Sequence, residues 1–279
     1  MKIIAYWDGS KMSWLRYMTL KSCRHYNPDA EILLYHNNTV LGQEQTWEEH
    51  NQQDFATYCG EDYVDRLAEI GVSYLEWKPD VPEDEYNKIM SMCPSHRSNL
   101  FKWYELATSA ATYIDMDILF IRPFDERLSG CNVSICYKEW FSIGLLASNM
   151  PNTIFMDFYR SALINHQVSK YQCCGVEAVY LSLYGEKWYE KVYKTNMFND
   201  LVAKYPVYSI YNIPMDYVYY RDFKQLDDLF IDSVNFPADA IGIHWYAGNP
   251  LSQKWNNKLT ESNYTKYNST ICNYIRKIM

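Results

Sequence analysis

The sequence predicts an α/β protein with a central sheet flanked by helices, and three observations carry that prediction. Short apolar, β-branched runs alternate with helically spaced stretches through the first half of the chain. One such run, Ala111 to Ile121, is interrupted only by Asp115 and Asp117. The chain has 279 residues, 48% hydrophobic and 22% charged, which is ample for a packed core and excludes a disordered chain. Strand–helix alternation of this kind places a ligand crevice at the carboxyl edge of the sheet.

Residues 3–7 read as the first strand, meeting a turn at Asp8-Gly9-Ser10. A helix over 11–26 puts Trp14, Leu15, Met18 and Cys23 on its apolar side, and Asn27-Pro28-Asp29 stops it. Glu31 to Tyr35 is the second strand, so a right-handed crossover and a parallel pair follow. Residues 42–70 are polar and acidic and read as one or two surface helices. Gly71 to Trp77 is the third strand, followed by a loop with Pro79 and Pro82. A helix over 95–110, with Ser95 as its cap, leads into the Asp-bearing run, read as one buried fourth strand. Proline at position 123 ends that strand. Strands over 133–137 and 141–147 follow, then helices over 152–166 and from Gly175. Residues 205–223 are dense in tyrosine, which packing, compositional bias or an acceptor groove would explain. Ala240 to Ala247 is a short strand running into a Gly/Pro turn, and the tail from Asn256 reads as a terminal helix. No repeat or linker divides the chain, so 1–279 is expected to be one domain.

Alternation along a strand sends Asp115 and Asp117 to the same side, roughly 7 Å apart. Two close, buried carboxylates repel unless a cation neutralises them or one takes up a proton. An oxygen pair suits a hard cation, Mn²⁺ or Mg²⁺, bound with a phosphate-bearing substrate. The alternative is a solvated strand end carrying two unremarkable acids. The net charge of −8 and the lack of a basic run beyond scattered pairs give no support to an electrostatic nucleic-acid footprint. Eight cysteines include no C-x-x-C pair, so neither a zinc-finger spacing nor a compact disulfide framework is read. No stretch of transmembrane length and no signal-peptide core are seen, and a reducing cytoplasmic setting is the expectation.

Ser98-Asn99-Leu100-Phe101-Lys102 followed by Tyr113-Ile114-Asp115-Met116-Asp117 resembles the glycosyltransferases with a DXD sugar-binding region, family 32 and its relatives. Their string is S-D-x-x-R, a helix, then G-G-x-Y-x-D-x-D. Here Asn99 stands for Asp, Lys102 for Arg, and Ala110-Ala111 for the Gly pair. Gly144 to Pro151, Gly175-Val176-Glu177-Ala178 and His244-Trp245 are similar to later segments of that family. His244, Gly248, Lys254 and Trp255 resemble, at longer spacing, the H-x-x-G-x-x-K-P-W string of family 8 transferases.

The resemblance implies a GT-A (Rossmann-like) fold with a mixed central sheet. It implies transfer of a sugar from a nucleoside-diphosphate donor, UDP- or GDP-linked, to a glycan acceptor hydroxyl, with retention. Residues 1–125 would form the donor half and 126–255 the acceptor half, with 256–279 as a tail. Asp115, Asp117 and His244 would hold the metal, and Tyr6, Trp7, Asn99, Lys102, Asp115, Gly248 and Lys254 the donor. Tyr6 and Trp7 would stack on the base; as core aromatics they would look the same in sequence. Asn for Asp removes a charge, and Lys lacks the bidentate fork of Arg. Glu177, with Glu139 behind it, is the candidate assisting carboxylate. Two other readings are a sugar-nucleotide binder without catalysis, and a D-x-D phosphotransferase using Asp115 as nucleophile.

Overall fold

The computed structural model describes residues 1–9, 11–37, 58–192 and 194–279. The predicted opening unit is present: β1 (Lys2–Tyr6), α1 (Trp14–Tyr26) and β2 (Glu31–His36), with β1 and β2 parallel. Ser13 caps α1 by accepting from the Arg16 N–H. Of the surface helices expected over 42–70, residues 42–57 lie outside the described residues, as does Ser10 of the first turn. Val64–Ile70 is a 3₁₀ segment that closes on Gly71, whose φ of 66° is left-handed and suits glycine. From there β3 (Val72–Glu76) pairs parallel to β2.

The expected loop after β3 contains a helix, α2 (Glu83–Met90), opened by Pro82 with Glu83, Asp84 and Glu85 in its first turn. Three acids at a helix start favour the positive end of its dipole. Next, α3 (Pro94–Thr108) starts at Pro94 with Cys93 at its cap, so Ser95 lies inside the first turn and does not cap it. Proline at the first helical position has no N–H to satisfy, which sets that start.

The Asp-bearing run is not one strand. It divides into β4 (Ala111–Ile114), in the main sheet, and β5 (Ile118–Phe120), in a separate two-stranded ladder. Asp115-Met116-Asp117 is the turn between them. A buried ladder offers two adjacent carboxylates no compensation; leaving the sheet at Asp115 lets each find its own donors.

The second half begins with α4 (Arg127–Gly130) and the antiparallel strands β6 (Val133–Tyr137) and β7 (Phe141–Ser148). Helices α5 (Thr153–Ile164), α6 (Val176–Tyr184) and α7 (Met197–Lys204) follow. The tyrosine-dense stretch contributes β8 (Ile210–Ile213), parallel to β6, and then the buried Tyr217 and Tyr219. After α8 (Asp227–Phe230), β9 (Gly242–His244) pairs antiparallel with β5. Helix α9 (Pro250–Lys258) begins before the expected tail and ends inside it, and the tail's own helix is the short α10 (Thr270–Ile275).

The main sheet has the order β3-β2-β1-β4-β7-β6-β8, parallel over its first four strands and mixed thereafter. Alternation in β1 sends Ile3 and Ala5 to one face and Ile4 and Tyr6 to the other. The first face packs on α1 residues such as Leu15 and Met18, the second on α3, α5 and α6 residues such as Phe101, Phe155 and Val179. The fold is therefore the expected α/β class, a mixed sheet flanked by helices. No helix among the described residues is long and apolar enough to cross a membrane.

Candidate active site

The turn after β4 is held from both sides. The Asp115 N–H donates to the Gly144 carbonyl of β7 at 2.7 Å, and the Met116 carbonyl accepts from Thr19 Oγ1 of α1 at 3.2 Å. The Asp117 carbonyl accepts from the Trp245 N–H at 2.9 Å. In the β5–β9 ladder Ile118 faces His244, so the far end of the chain is delivered beside Asp117. One ligand atom each from Asp115, Asp117 and His244 lies within 4.8 Å of the others. The structure thus brings together the three predicted metal ligands, through a turn and not through strand alternation.

Each ligand is oriented by its own donors. Asp115 Oδ1 accepts from Lys102 Nζ at 3.1 Å and from the Tyr113 hydroxyl at 2.5 Å. Lys102 also donates to the Ile143 carbonyl at 3.2 Å and sits 4.4 Å above the Tyr113 ring. Asp117 Oδ2 accepts from the Ala247 N–H at 2.8 Å, while Oδ1 lies 3.3 Å from His244 Nε2. His244 Nδ1 is buried with no hydrogen-bond partner among the described residues. The nitrogen beside Asp117 is Nε2, so one imidazole nitrogen and two carboxylates make a mixed donor set that fits a divalent cation. Asp115 is the most open of the three, its side chain 28% exposed against 15% for Asp117 and 11% for His244. It is therefore the carboxylate through which solvent reaches the cluster.

Burial and charge work against each other here. Burial alone would push the Asp117 carboxyl up, but His244, then Arg16 and the Ala247 N–H, hold it well below the usual carboxylate range. Burial opposes protonation of His244, yet Asp117 and then Asp115 raise its pKa above the ordinary value. The Lys102 ammonium is lowered by burial, with Asp115 partly restoring it. Arg16 is lowered by burial to about 10 and remains charged at neutral pH. Two carboxylates thus already face two buried cations. A divalent ion would bring charge that the protein leaves uncompensated, which favours an anionic co-ligand such as a diphosphate.

Tyr246 adopts φ 49°, the one left-handed conformation among the described non-glycine residues. Its ring meets the His244 ring edge-on at 4.2 Å, and its hydroxyl donates to the Arg221 carbonyl at 3.2 Å. This turn, costing roughly 1 kcal/mol or more, aims the next N–H, that of Ala247, at Asp117.

Gly144 packs directly on Asp115. A Cβ there would stand 2.7 Å from Asp115 Oδ2 and 2.9 Å from the Tyr219 hydroxyl. The Gly144 N–H donates to that hydroxyl at 2.8 Å. Gly175 is a second close approach, its Cβ position 3.2 Å from Asn99 Nδ2 and 3.3 Å from Ile143 Cδ1. Asn99 therefore faces the start of α6, where Glu177 lies half-buried in the first turn.

The remaining predicted residues are more dispersed. Lys102 is committed to Asp115, where contact with a donor was expected. Tyr6 is buried against Trp77 and Phe101, its hydroxyl 2.9 Å from Asp8 Oδ2 and 2.7 Å from Asn37 Oδ1. Trp7 is buried with the Arg16 guanidinium 4.2 Å above its ring. Both are core aromatics in this structure. Gly248 lies in the turn before α9, Lys254 is exposed on that helix, and Glu139 is exposed between β6 and β7. Sequence reasoning missed Arg16, Tyr113, Tyr219, Tyr246 and Gly144 as site residues. A glycine inside a strand was the readable signal for the last.

No family model matches the chain, and no curated protein does. Among solved structures the chain is similar to one titled PaToxG glycosyltransferase, at 15% identity and TM-score 0.45, over 73% of this chain and 75% of that one. It is also similar to galactosyltransferase LgtC in complex with donor and acceptor sugar analogues, at 12% identity and TM-score 0.39, over 95% and 100%. A third is apo glycosyltransferase GlyE of Streptococcus pneumoniae TIGR4, at 12% identity and TM-score 0.39, over 99% of this chain and 64% of that one. Superpositions this loose carry no argument about activity, which rests on the side chains above.

Proposed function

We propose that the chain is a divalent-metal-dependent glycosyltransferase of the GT-A type. It would move a sugar from a nucleoside-diphosphate donor to a glycan hydroxyl with retention. The observation that carries this is the convergence of Asp115, Asp117 and His244, within 4.8 Å, where the parallel strand β4 ends. That is the edge of an α/β sheet at which nucleotides bind.

On this reading Asp115, Asp117 and His244 hold Mn²⁺ or Mg²⁺, which when bound offsets charge developing on the departing diphosphate. Lys102 and Tyr113 fix the Asp115 carboxylate, and Ala247 fixes that of Asp117. Asn99 of α3 and Glu177 at the start of α6 would meet the donor sugar, a role that the approach of Asn99 Nδ2 to Gly175 supports. Gly248 and Lys254, around the start of α9, are the diphosphate contacts. Retention without an enzymic nucleophile leaves the acceptor proton to the leaving phosphate, so no base is assigned beyond Glu177 as an assisting group. Residues 1–125 and 126–255 are the donor and acceptor halves.

One observation favours a second reading, a sugar-nucleotide binder without turnover: Lys102 is spent on Asp115 and Ile143. Hydrolysis of UDP- and GDP-sugars with Mn²⁺ separates the two. The transferase reading expects slow metal-dependent hydrolysis that Asp117→Asn abolishes. Tight donor binding without any turnover establishes the binder, and neither binding nor turnover overturns both.

A further inference from the structure

Among the described residues a second set of side chains converges away from the Asp turn. His96 in the first turn of α3, His166 just after α5 and Cys174 just before α6 each offer one ligand atom, all within 4.8 Å of one another. His96 and Cys174 are buried, and His166 is half-buried. The thiols of Cys173 and Cys174 are not in disulfides.

The spacing of the two histidine nitrogens suits a shared metal ion, and the Cys174 Sγ lies within 4.8 Å of both while also donating to the Ala162 carbonyl at 3.7 Å. His96 Nε2 lies 3.0 Å from the Lys170 carbonyl, which can only accept, so that nitrogen carries the proton. The other nitrogen, Nδ1, then presents a lone pair toward His166 Nε2 at 3.1 Å. Two imidazole nitrogens on one tetrahedral zinc stand about 3.3 Å apart, given Zn–N bonds near 2.05 Å. An N–H bonded to a carbonyl on the far side of the ring is also the usual second support of a metal-bound histidine. Cys174 is anchored through its backbone, whose carbonyl accepts from Trp103 Nε1 at 2.8 Å. Cys173 adjoins the set: its Sγ lies 3.3 Å from both the N–H and the carbonyl of Gln167, 3.7 Å from His96 Nε2 and 3.8 Å from Cys174 Sγ.

We propose that His96, His166 and Cys174 form a second metal site, built for a borderline-soft divalent ion, Zn²⁺ first, with water at its fourth position. A His₂Cys set excludes Mg²⁺ and disfavours Mn²⁺, so the two sites sort metals by ligand chemistry. The site ties the start of α3 to the end of α5 and the turn before α6. Those are the elements that carry Asn99, Lys102 and Glu177, so its role is to position rather than to react.

The test is titration of the reduced, metal-free chain with Co²⁺, followed by Zn²⁺. A thiolate-to-cobalt charge-transfer band saturating at one equivalent per chain is expected, with Zn²⁺ displacing it. Cys174→Ser abolishes the band and His166→Ala weakens it at least tenfold. Asp117→Asn retains it, because that side chain belongs to the other cluster. No band in the reduced wild type overturns the proposal, as does a band that survives Cys174→Ser or a Co²⁺ affinity that His166→Ala leaves unchanged. If Cys174→Ser does not fold, the wild-type titration and His166→Ala decide.

Discussion

Gly144→Ala is a steric test of how the Asp turn is held. The added Cβ would stand 2.7 Å from Asp115 Oδ2 and 2.9 Å from the Tyr219 hydroxyl. Ordinary contact requires a retreat of roughly 0.7 Å by the first and roughly 0.5 Å by the second. Neither is a free side-chain end: Asp115 is held by Lys102 and Tyr113, and the Tyr219 hydroxyl by the Gly144 N–H. Overpacking of this kind costs about 1–3 kcal/mol, which lowers Tm by several degrees in a chain of this size. Displacing a ligand by most of an ångström is expected to weaken Mn²⁺-dependent nucleotide binding by roughly 10- to 100-fold. Gly130→Ala is the control, since a Cβ there meets nothing within 4 Å. Calorimetric titration and thermal unfolding of both variants check this. A Gly144→Ala protein with wild-type Tm and wild-type affinity would refute the packing argument.

Three further predictions follow from other contacts. Lys102→Met removes the ammonium 3.1 Å from Asp115 Oδ1; Mn²⁺ alone should bind roughly tenfold more tightly while stability falls by about 1–3 kcal/mol, and an unchanged Mn²⁺ affinity would contradict competition between the two cations. Arg97 and Asp8 form an ion pair with side chains only 3% and 1% exposed, so Arg97→Met should cost about 3–5 kcal/mol, and adding Asp8→Asn should recover part of it. Burial raises the Glu105 carboxyl above its usual range despite the hydrogen bond from Trp77 Nε1. The folded state then holds its proton more tightly than the unfolded one, so this group's contribution to stability falls as pH rises from the unfolded value toward the raised one. Glu105→Gln keeps an acceptor for Trp77 and should raise Tm by a few degrees at pH 7 but not at pH 4; equal Tm values at both would count against the linkage.

The first half of the fold was legible because its signals are local. An amphipathic run ended by Asn27-Pro28, with β-branched runs on either side, specifies β1, α1 and β2, although the helix starts at Trp14 after the Ser13 cap and not at Lys11. The division of residues 111–121 was not legible, because periodicity cannot distinguish a strand bearing two acids from two strands joined by an acidic turn. What decides between them is the set of buried groups that meets the acids, and those come from α1, α3, β4, β9 and the turn after β9. Arg16 was missed for a related reason: on a helix an arginine reads as solvated until the strand ends behind it are known. His244 was legible as a candidate only through the family resemblance, and the β5–β9 register explains how it reaches Asp117. Asp115 and Asp117 stood out because acids are costly inside an apolar run, wherever the backbone takes them.

The measurement that bears most directly on the central claim is calorimetric titration of UDP and of GDP, each with and without Mn²⁺, into wild type and Asp117→Asn. With Asp115 and Asp117 already facing two buried cations, metal and nucleotide should bind weakly alone and together with positive coupling of roughly tenfold or more. That coupling should vanish in Asp117→Asn, and the nucleotide that shows it names the donor. Nucleotide binding that ignores Mn²⁺, or survives Asp117→Asn unchanged, would contradict the assignment of Asp115, Asp117 and His244 as the metal site of a sugar-nucleotide transferase.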